Sequence, residues 1–401
     1  TYGFPFELTL EYLHDLGYTV SREEFDKYMN MQKELAKKNA KNKASMASQK
    51  KVLLDFKDES SFAYGIYRLK TNVLAIFSKD EIVSESDHDC YIALNRTCFY
   101  AESGGQVSDT GMIVGKDFKA RVLDVFKAPN GQHIHKVKLL DGVIHINDEC
   151  EAVVDKDRRQ KIEVNHSCVH ILQYSLQQVV SSSIKQAGSY VDDEKLRFDF
   201  TYAGKMTDDK LLEVEQYAKD MINGNLMVAT EVMPIDKARE LGAMALFNEK
   251  YGDMVRVVKI GKSIELCGGT HTTNTKEIKN FAIYSCESKG SNVYRIEAAT
   301  GNKALNILFD TIKPYNDEMI KLLLKARNIV DEAKSKGIVL NFDVDIDNSK
   351  PCSYKDIIFN RNELAYVQQE VRDLEKRYFD LSEQKALQNM DIYKENIKDY
   401  N

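Results

Sequence analysis

Residues 163–172 read Glu163-Val164-Asn165-His166-Ser167-Cys168-Val169-His170-Ile171-Leu172, and two histidines stand four residues apart in this stretch. If the stretch is helical, both imidazoles leave the same face of the helix, about one turn apart. A helix offers two nitrogen ligands to one tetrahedral metal ion in this way. Taken alone, the pair is more typical of half-buried histidines whose ring nitrogens are hydrogen-bonded.

A second pair follows about a hundred residues later, in Leu266-Cys267-Gly268-Gly269-Thr270-His271, where a cysteine takes the first place. Three of the eight histidines of the chain fall in these two short stretches. Together the pairs predict a zinc set of three histidines and one cysteine, because zinc binds four nitrogen or sulfur ligands. Its members are His166, His170, Cys267 and His271. Four protein ligands are typical of a structural site, whereas a catalytic zinc keeps one position open.

The turn after Cys267 adds candidate catalytic groups. Gly268 and Gly269 would let backbone N–H groups face the cavity as an oxyanion hole does, and Thr270 adds a hydroxyl near the metal. The rival role for Cys267 is that of a nucleophile, but His271 is better placed as a metal ligand than as its base.

Two further groups suit the same pocket. Gln186 would orient a water or a carbonyl, although the stretch Lys185–Val191 fits equally a polar helix C-terminus stopped by Gly188. Arg158, Arg159 and Lys161 lie roughly one to two turns before His166, and such cationic residues suit a phosphate-bearing substrate. A solvated helix face explains these cationic residues equally well.

Composition bounds the class of protein. The net charge of −6 gives no global basic footprint for nucleic acid, so RNA contacts must come from local patches. No apolar run reaches the length of a membrane span. Seven scattered cysteines argue against a disulfide framework and favour a reducing cytosol. The first residue is Thr1, so the chain reads as a fragment with an open question about any upstream signal.

Strand signals dominate residues 56–155. Short runs rich in β-branched and aromatic residues are separated by turns, which predicts a small antiparallel barrel. These runs are residues 72–77, 89–94, 112–114, 120–125, 133–138 and 150–154. Gly104 and Gly105 in one turn allow positive φ or close approach to a ligand, although that stretch alone favours a plain bulged hairpin turn.

The second half of the chain mixes helix and strand and then becomes helical. The pattern predicts one long helix over 157–182, which carries both histidines, and an antiparallel sheet with helices on one face. The other predicted elements are strands at 196–200, 227–232, 255–260 and 281–285 and a helix at 208–223. Leu364, Val367, Val371 and Leu374 begin a heptad seam, which suits an intermolecular coiled coil or an antiparallel hairpin with 302–336.

Several linked motifs resemble the alanyl-tRNA synthetase family, in order from residue 1 to about residue 304. The opening Thr1-Tyr2-Gly3-Phe4-Pro5 is similar to the end of the tRNA-recognition region of that family. The other motifs are Arg96-Thr97, Phe99-Tyr100-Ala101-Glu102-Ser103-Gly104-Gly105-Gln106, Asp109-Thr110-Gly111, Asn165-His166-Ser167 with His170, Gln186-Ala187-Gly188-Ser189, Leu196-Arg197-Phe198-Asp199, Glu240-Leu241-Gly242-Ala243-Met244-Ala245-Leu246-Phe247, Glu265-Leu266-Cys267-Gly268-Gly269-Thr270-His271 and Arg295-Ile296-Glu297-Ala298.

The resemblance implies the editing part of such a synthetase, which hydrolyses the ester of tRNA(Ala) mischarged with serine or glycine. The family shares this zinc-site domain with threonyl-tRNA synthetases and with free-standing alanyl editing proteins. The resemblance implies one Zn²⁺ per chain on the four ligands named above and Gln186 in the pocket. ATP and Mg²⁺ would belong to an aminoacylation domain that is absent here. The resemblance implies that the glycine turn at Gly104-Gly105 faces the editing pocket near the tRNA 3′ end. The candidate tRNA or pocket residues are Gly104, Gly105, Gln106, Arg158, Arg159 and Arg197.

The expected fold is therefore α+β in four parts. Residues 1–55 would end a helical tRNA-recognition region, 56–155 form the barrel, 156–304 form the zinc-binding editing domain, and 305–401 form a helical hairpin or coiled coil. The expected partner is the aminoacylated 3′ end of tRNA(Ala) in the cytoplasm, with no membrane or DNA, and the C-terminal helices are a candidate surface for self-association.

One departure from the family pattern concerns specificity. Cys168 and Val169 stand between the helix histidines, where the family usually has alanine and threonine, so a hydroxyl that would sense serine is missing. Two alternatives stay open. A free-standing editing hydrolase should begin near the barrel, which residues 1–5 argue against. A zinc-stapled tRNA-binding module without catalysis is the other.

Overall fold

The structure is a computed structural model that describes Ser21, Arg22, Met31, residues 51–79, 81–244, 252–344, Ile346 and residues 351–398. These residues fall into two compact units. The first contains the chain up to Glu102 together with Ser108–Lys156, and the second contains Ser103–Val107 together with the chain from Asp157 onward. The helices predicted within residues 1–50 lie outside the described residues, apart from three single positions, and the four-part domain division stays a proposal.

The described residues form six α-helices, one 3₁₀ turn at Thr275–Ile278, and eighteen strands. The helices are α1 (Lys51–Asp55), α2 (Lys156–Val179), α3 (Asp208–Asn223), α4 (Ile235–Glu240), α5 (Gly301–Ser335) and α6 (Tyr354–Lys398). The strands are β1 (Ser61–Phe62), β2 (Arg68–Ser78), β3 (Glu81–Val83), β4 (Glu85–Ser86), β5 (Cys90–Leu94), β6 (Arg96–Thr97), β7 (Gly111–Gly115), β8 (Phe118–Lys127), β9 (His133–Gly142), β10 (Ile144–His145), β11 (Glu149–Val154), β12 (Lys185–Val191), β13 (Leu196–Thr201), β14 (Val228–Pro234), β15 (Met254–Ile260), β16 (Ser263–Leu266), β17 (Phe281–Gly290) and β18 (Val293–Thr300).

The first unit is built on a closed antiparallel barrel of six strands. The strand order is β2-β5-β9-β8-β7-β11, and β11 pairs back onto β2 to close the ring. Alternate side chains along β8 are buried, as expected for a strand with one face toward a core. Ile92, Ile113, Val122 and Ile134 are among the fully buried side chains. Five of the six runs predicted as strands lie within one of these six strands, and the run 89–94 begins one residue before β5, so the barrel prediction is confirmed.

The second unit contains an antiparallel sheet, in the order β12-β13-β18-β17, with α2 and α3 among the elements that share its core. Phe198, Phe200 and Ile296 are fully buried on the inner face of this sheet. The long histidine helix was predicted, but it ends at Val179 rather than at residue 182. Lys185–Val191 pairs with β13 as a strand, so the interpretation of that stretch as a helix C-terminus is wrong.

A smaller sheet, β14-β15-β16, carries the second metal-ligand motif. Strand β16 ends at Leu266, and Cys267 follows directly. Strands were predicted at 227–232 and 255–260, and β14 and β15 occupy these positions, although β14 begins one residue later and runs on to Pro234.

The two C-terminal helices pack against each other in one chain. The predicted seam is confirmed, since Val367, Val371 and Leu374 are buried with Met319 and Ala326 of α5. The helices run parallel, however, because contacts advance in the same direction along both. Examples are the ion pair of Lys325 with Glu375 at 2.6 Å and the hydrogen bond of Lys336 with the Tyr378 hydroxyl at 2.7 Å.

Of the two alternatives that the heptad seam left open, the antiparallel hairpin is therefore wrong. The described residues that follow α5 run back along the pair, and their side chains Leu340, Phe342 and Val344 pack against it. This apolar return segment replaces the short loop that an antiparallel hairpin would need. Within the described ranges, no helix is both long and apolar enough to cross a membrane.

Candidate metal centre

The two predicted ligand pairs converge in the second unit. Helix α2 presents His166 and His170 from one face, and the turn after β16 brings Cys267 and His271 to the same point. One ligand atom from each of the four residues lies within 4.8 Å of all the others. The Cys267 Sγ atom is 3.4 Å from Nε2 of His166 and 3.3 Å from Nε2 of His271. The sequence prediction of this set is thus matched by its geometry.

Each histidine of the cluster has its Nδ1 atom held by a neighbouring side chain. His166 Nδ1 lies 2.7 Å from Oε1 of Gln106, and His170 Nδ1 lies 2.7 Å from a carboxylate oxygen of Glu265. His271 Nδ1 lies 3.2 Å from the Ser167 hydroxyl. Metal-binding histidines generally donate their second ring N–H in this way, which fixes the ring and its tautomer.

The hydrogen bonds of Ser167 decide the tautomer of His271. The Ser167 hydroxyl donates its single proton to the Glu163 carbonyl at 2.8 Å and accepts the Thr272 N–H at 3.1 Å. Its remaining lone pair can only accept, so His271 Nδ1 must carry a proton. Nε2 of His271 then keeps its lone pair and points it at the Cys267 sulfur.

The turn that carries Cys267 is held by a residue of the neighbouring strand. The Arg256 guanidinium donates from one nitrogen to the carbonyls of Cys267 and Gly269, at 2.9 and 2.8 Å. The Gly269 N–H in turn approaches the Cys267 sulfur at 3.4 Å. Donation of an N–H to a cysteine sulfur favours its charged, metal-binding form.

The prediction that the Gly269 N–H contributes to an oxyanion hole is therefore wrong. Its N–H is directed at the Cys267 sulfur, and the next N–H, of Thr270, donates to Gln106 at 2.9 Å. These two donors serve the ligand turn itself, so neither is available to a substrate oxygen. Gly269 is needed for a different reason, because a Cβ atom at this position would lie 2.0 Å from Cε1 of His166.

Two groups of the cluster, Cys267 and His271, are already in their metal-binding protonation states. Burial disfavours the thiolate, but the adjacent His166 and His271 outweigh burial and hold the pKa of Cys267 well below its usual range. Burial and His166 lower the pKa of His271 to about 3. For His170, burial lowers the pKa but Glu265 and Cys267 outweigh it and raise the pKa to about 10. A thiolate and neutral imidazoles are the ligand forms, so His170 would release a proton when a metal binds.

The donor set fits zinc. Zinc binds four nitrogen or sulfur ligands in a tetrahedron, and three imidazole nitrogens and one thiolate sulfur can supply them. Nε2 of His170 is buried without a hydrogen-bond partner among the described residues. This arrangement is costly unless a metal ion binds to that nitrogen. A second metal-ligating group of three or more residues is not found in the part of the chain that the structure describes.

The glycine turn predicted to face the pocket also belongs to the second unit. Gly104 and Gly105 both have positive φ, at 60° and 83°, in a tight turn closed by hydrogen bonds between Ser103 and Gln106. The Gly105 carbonyl accepts the Val191 N–H at 2.8 Å, which fixes the turn on β12. The turn itself is a tight hairpin turn, and it places the Gln106 side chain against His166.

Gln186 lies on β12 next to this turn. Its Nε2 donates to the Ser189 hydroxyl at 3.1 Å, and Ser189 lies beside Gly104 with an O···O distance of 3.3 Å. Strand β12 has a register shift between Gln186 and Gly188, which is typical of strands next to functional sites. The structure thus brings Gln186 together with the glycine turn, and it links Gln106 of that turn to the metal cluster.

The three arginines that were predicted to contact tRNA lie in different surroundings. Arg159 is only 1% exposed and lies 3.7 Å from the Glu163 carboxylate, so burial removes its guanidinium from a surface where a phosphate would bind. Arg158 is partly buried and pairs with Asp193 at 3.1 Å. Arg197 lies over the Tyr190 ring and 3.6 Å from Asp199, on the polar face of the sheet. A role for Arg197 in binding tRNA stays a prediction.

Three functional contacts were not predicted from the sequence. Glu265 and Ser167 were part of quoted motifs, but nothing in their spacing assigned them to His170 and His271. Arg256 lies in an alternating strand and looks like any surface cation there. The one available signal was that Glu265 precedes Cys267 by two residues, so the two side chains would share a face of an extended chain.

Two protein-family models match parts of this chain. Residues 1–158 match the family model of class II tRNA synthetases, and residues 255–297 match that of the threonyl and alanyl tRNA synthetase second additional domain. The latter range includes Cys267 and His271. Both helix histidines lie outside the two matched ranges.

Curated relatives extend the match along the chain. It is 39% identical to the alanine–tRNA ligase of Lysinibacillus sphaericus, over 84% of this chain and 37% of that protein. It is 39% identical to that of Bacillus subtilis, over 80% of this chain and 37% of the relative, and 40% identical to that of Staphylococcus aureus, over 83% and 38%. The chain therefore spans well under half the length of these relatives. From the two family models and these identities, the chain belongs to the alanyl-tRNA synthetase family.

Proposed function

We propose that this chain is the editing part of an alanyl-tRNA synthetase and hydrolyses tRNA(Ala) that carries serine or glycine. The observation that carries the proposal is the buried cluster of three histidines and Cys267, in which each imidazole has its second nitrogen held. A metal site built in this way, with Cys267 and His271 inside the range that matches the second additional domain, suits a chemical role beyond packing. Ligation of alanine with ATP and Mg²⁺ is a proposal for the whole protein and is assigned to a different domain.

The roles of the residues follow from their positions. His166, His170, Cys267 and His271 would hold zinc, which when bound supplies a positive charge that polarises an oxygen of the aminoacyl ester. Water attacks the ester carbonyl, the bond to the ribose oxygen breaks, and the free amino acid and the terminal hydroxyl of tRNA(Ala) are released. Gln186 and Thr270 are the proposed groups that orient the water or the ester.

Selection of serine and glycine over alanine would depend on the pocket wall. Cys168 and Val169 are buried in the apolar core of the unit, at 0% and 3% exposure. Neither side chain offers a hydroxyl that would recognise the serine side chain. An apolar position gives the serine hydroxyl no hydrogen bond, so it does not favour the serine ester over the alanine ester, and discrimination at this position should be weak. We expect measurable but incomplete protection of the alanine ester.

The test is hydrolysis of Ser-tRNA(Ala), Gly-tRNA(Ala) and Ala-tRNA(Ala), with bound zinc quantified in the same samples. Zinc near one per chain, with loss of the serine or glycine ester and slower loss of the alanine ester, is the expected result. Cys267→Ala should abolish both zinc binding and hydrolysis. The matched control is Cys352→Ala, since Cys352 is exposed and outside the cluster. Equal activity of the two variants would contradict the proposal.

A second candidate is a tRNA-binding module in which zinc has only a structural role. The four protein ligands favour it, because they fill the tetrahedral shell that a catalytic zinc leaves open. Stoichiometric zinc and binding of tRNA(Ala), with none of the three esters hydrolysed, would establish this second function in place of the first.

Two broader assignments are also proposals. The seven cysteines are free, as suits a reducing cytoplasm.

Helix α6 exposes Phe379, Leu387 and Ile392, at 66%, 55% and 55%, which would suit self-association through the C-terminal helices. Sedimentation of the chain at two concentrations tests the latter, and a single monomeric species at both would exclude it.

A further inference from the structure

Gln106 is a fully buried side chain whose amide has three hydrogen-bond partners in two different motifs. It is 0% exposed. Its Oε1 lies 2.7 Å from His166 Nδ1 and 2.9 Å from the Thr270 backbone nitrogen. Its Nε2 lies 2.9 Å from the Thr270 hydroxyl oxygen. The amide therefore joins a metal ligand of α2 to the residue that precedes His271.

The backbone N–H of Thr270 fixes which way this amide points. A backbone nitrogen can only donate, so the amide atom that faces it must be the oxygen. The same oxygen faces His166, so Nδ1 of that ring must donate as well and Nε2 keeps the lone pair. The tautomer of His166 that can bind a metal through Nε2 is thus set by a chain of hydrogen bonds that begins at a backbone group.

The other end of the amide orients a hydroxyl. Because Nε2 of Gln106 donates, the Thr270 oxygen is the acceptor in that hydrogen bond, and the hydroxyl proton stays available. The structure shows no hydrogen bond donated by this hydroxyl within the described residues, and the Thr270 side chain is only 3% exposed. A buried hydroxyl in this state is a donor that waits for an acceptor.

We propose that Gln106 is a positioning residue with two effects, which act through His166 and through Thr270. It holds His166 in the tautomer that binds the metal through Nε2. It also leaves the Thr270 hydroxyl as a donor to an acceptor oxygen of the aminoacyl ester. The first effect concerns the metal alone, whereas the second rests on the proposed editing function.

Two substitutions separate the effects. In Gln106→Glu, the carboxylate still accepts from His166 Nδ1 and from the Thr270 N–H, but its second oxygen cannot donate. The Thr270 hydroxyl would then donate to that oxygen and be lost to the substrate. In Gln106→Met, the side chain keeps its length and loses all three hydrogen bonds. Gln177→Met is the matched control, because Gln177 lies on α2 and donates to the Ile184 carbonyl at 3.0 Å.

The metal effect is tested by Co²⁺ titration, with the visible absorption of the bound ion as the readout and thermal unfolding as the check of folding. We expect Gln106→Met to weaken Co²⁺ about 10- to 100-fold and to change the absorption bands. Gln106→Glu and Gln177→Met should keep the wild-type bands and bind within a few fold of wild type. Unchanged affinity and bands in folded Gln106→Met would overturn this half of the proposal.

The hydroxyl effect is tested by a double-mutant cycle with Thr270→Val in the hydrolysis of Ser-tRNA(Ala). Gln106→Glu and Thr270→Val should each lower kcat at least tenfold with little change in KM, and the double variant should be no slower than either. If Gln106→Glu lowers kcat by the same factor in the Thr270→Val background as in wild type, the two residues act separately and this half of the proposal is wrong.

The outcomes also distinguish this inference from the proposed function. Wild-type hydrolysis with additive losses would leave the editing function standing and refute the action through Thr270. A wild-type protein that binds Co²⁺ and hydrolyses none of the esters would refute both the editing function and the hydroxyl effect. The metal effect is decided by the Co²⁺ titration in either case.

Discussion

The Ser167 hydroxyl lies 3.2 Å from Nδ1 of His271, although 104 residues separate the two along the chain. This contact ties one ligand pair to the other, since Ser167 lies on the helix of His166 and His170. Because the Ser167 proton goes to the Glu163 carbonyl, the hydroxyl can only accept from His271. The metal-binding tautomer of the fourth ligand is thus set from the first ligand helix.

Ser167→Ala should weaken metal binding without unfolding the chain. Loss of the acceptor frees the His271 ring to rotate and to change tautomer, which typically costs 10- to 100-fold in metal affinity. Ser175→Ala is a close control, because Ser175 is also fully buried on α2 and also donates to a carbonyl four residues earlier, at 2.7 Å. Co²⁺ titration of both variants makes the comparison, and equal affinities would contradict the role given to Ser167.

Arg256→Met should loosen the turn that carries Cys267. The substitution leaves the carbonyls of Cys267 and Gly269 without their shared donor, and such a loss costs about 1–3 kcal/mol for buried groups. We expect weaker Co²⁺ binding and a lower unfolding temperature. Arg239→Met removes an exposed arginine with an ion pair to Asp236 at 3.4 Å and should change neither quantity measurably. A Co²⁺ affinity of Arg256→Met equal to wild type would show that the turn holds its shape without the guanidinium.

Gly105→Ala should be much more harmful than Gly104→Ala, although the residues are adjacent and both have positive φ. A left-handed conformation costs a non-glycine residue roughly 1–2 kcal/mol, and this cost applies to both variants. At Gly105 a new Cβ atom would also lie 2.5 Å from the Ser189 carbonyl oxygen, whereas at Gly104 it meets nothing within 4 Å.

The comparison is made by urea unfolding and Co²⁺ titration of the two glycine variants. Displacement of the turn in Gly105→Ala would also move Gln106, so its Co²⁺ affinity should fall while that of Gly104→Ala stays near wild type. Equal free energies of unfolding would mean that the turn can shift away from β12 without cost.

The barrel should lose stability as the pH falls below 6.5. Burial lowers the pKa of His135 from 6.5 to about 3, and the ring is held by Thr97 and the Ile92 carbonyl. Between these two pKa values the unfolded chain binds a proton that the folded barrel does not, so stability rises with pH in this window. A change from pH 6.5 to 4.5 should cost on the order of 2–3 kcal/mol from this group.

Hydrogen exchange of the barrel strands, followed by mass spectrometry at several pH values, checks this prediction. The chain has no tryptophan, so intrinsic tryptophan fluorescence offers no alternative probe. His135→Gln removes the titrating group and should flatten the dependence between pH 6.5 and 4.5. An equally steep dependence in His135→Gln would assign it to other groups, such as the buried His133, whose pKa burial also lowers.

Local patterns were sufficient for most of the elements. The six barrel strands followed from alternation and turn residues, because a strand with one buried face has a period of two that is visible in a few residues. The histidine helix and the seam of α6 followed from spacing in the same way. The direction of α6 relative to α5 did not, since a heptad pattern is the same for parallel and antiparallel partners.

The sequence by itself determined the barrel strands, the two ligand pairs and the family resemblance, because each of these depends on residues that lie close together along the chain. Only the tertiary structure decided that the Gly269 N–H serves the Cys267 sulfur, that Arg159 is buried, and that Gln106, Ser167 and Glu265 each hold one histidine. The physical reason is that a buried hydrogen-bond donor or acceptor takes whichever partner the packed fold brings within about 3 Å, and no local spacing specifies a partner a hundred residues away.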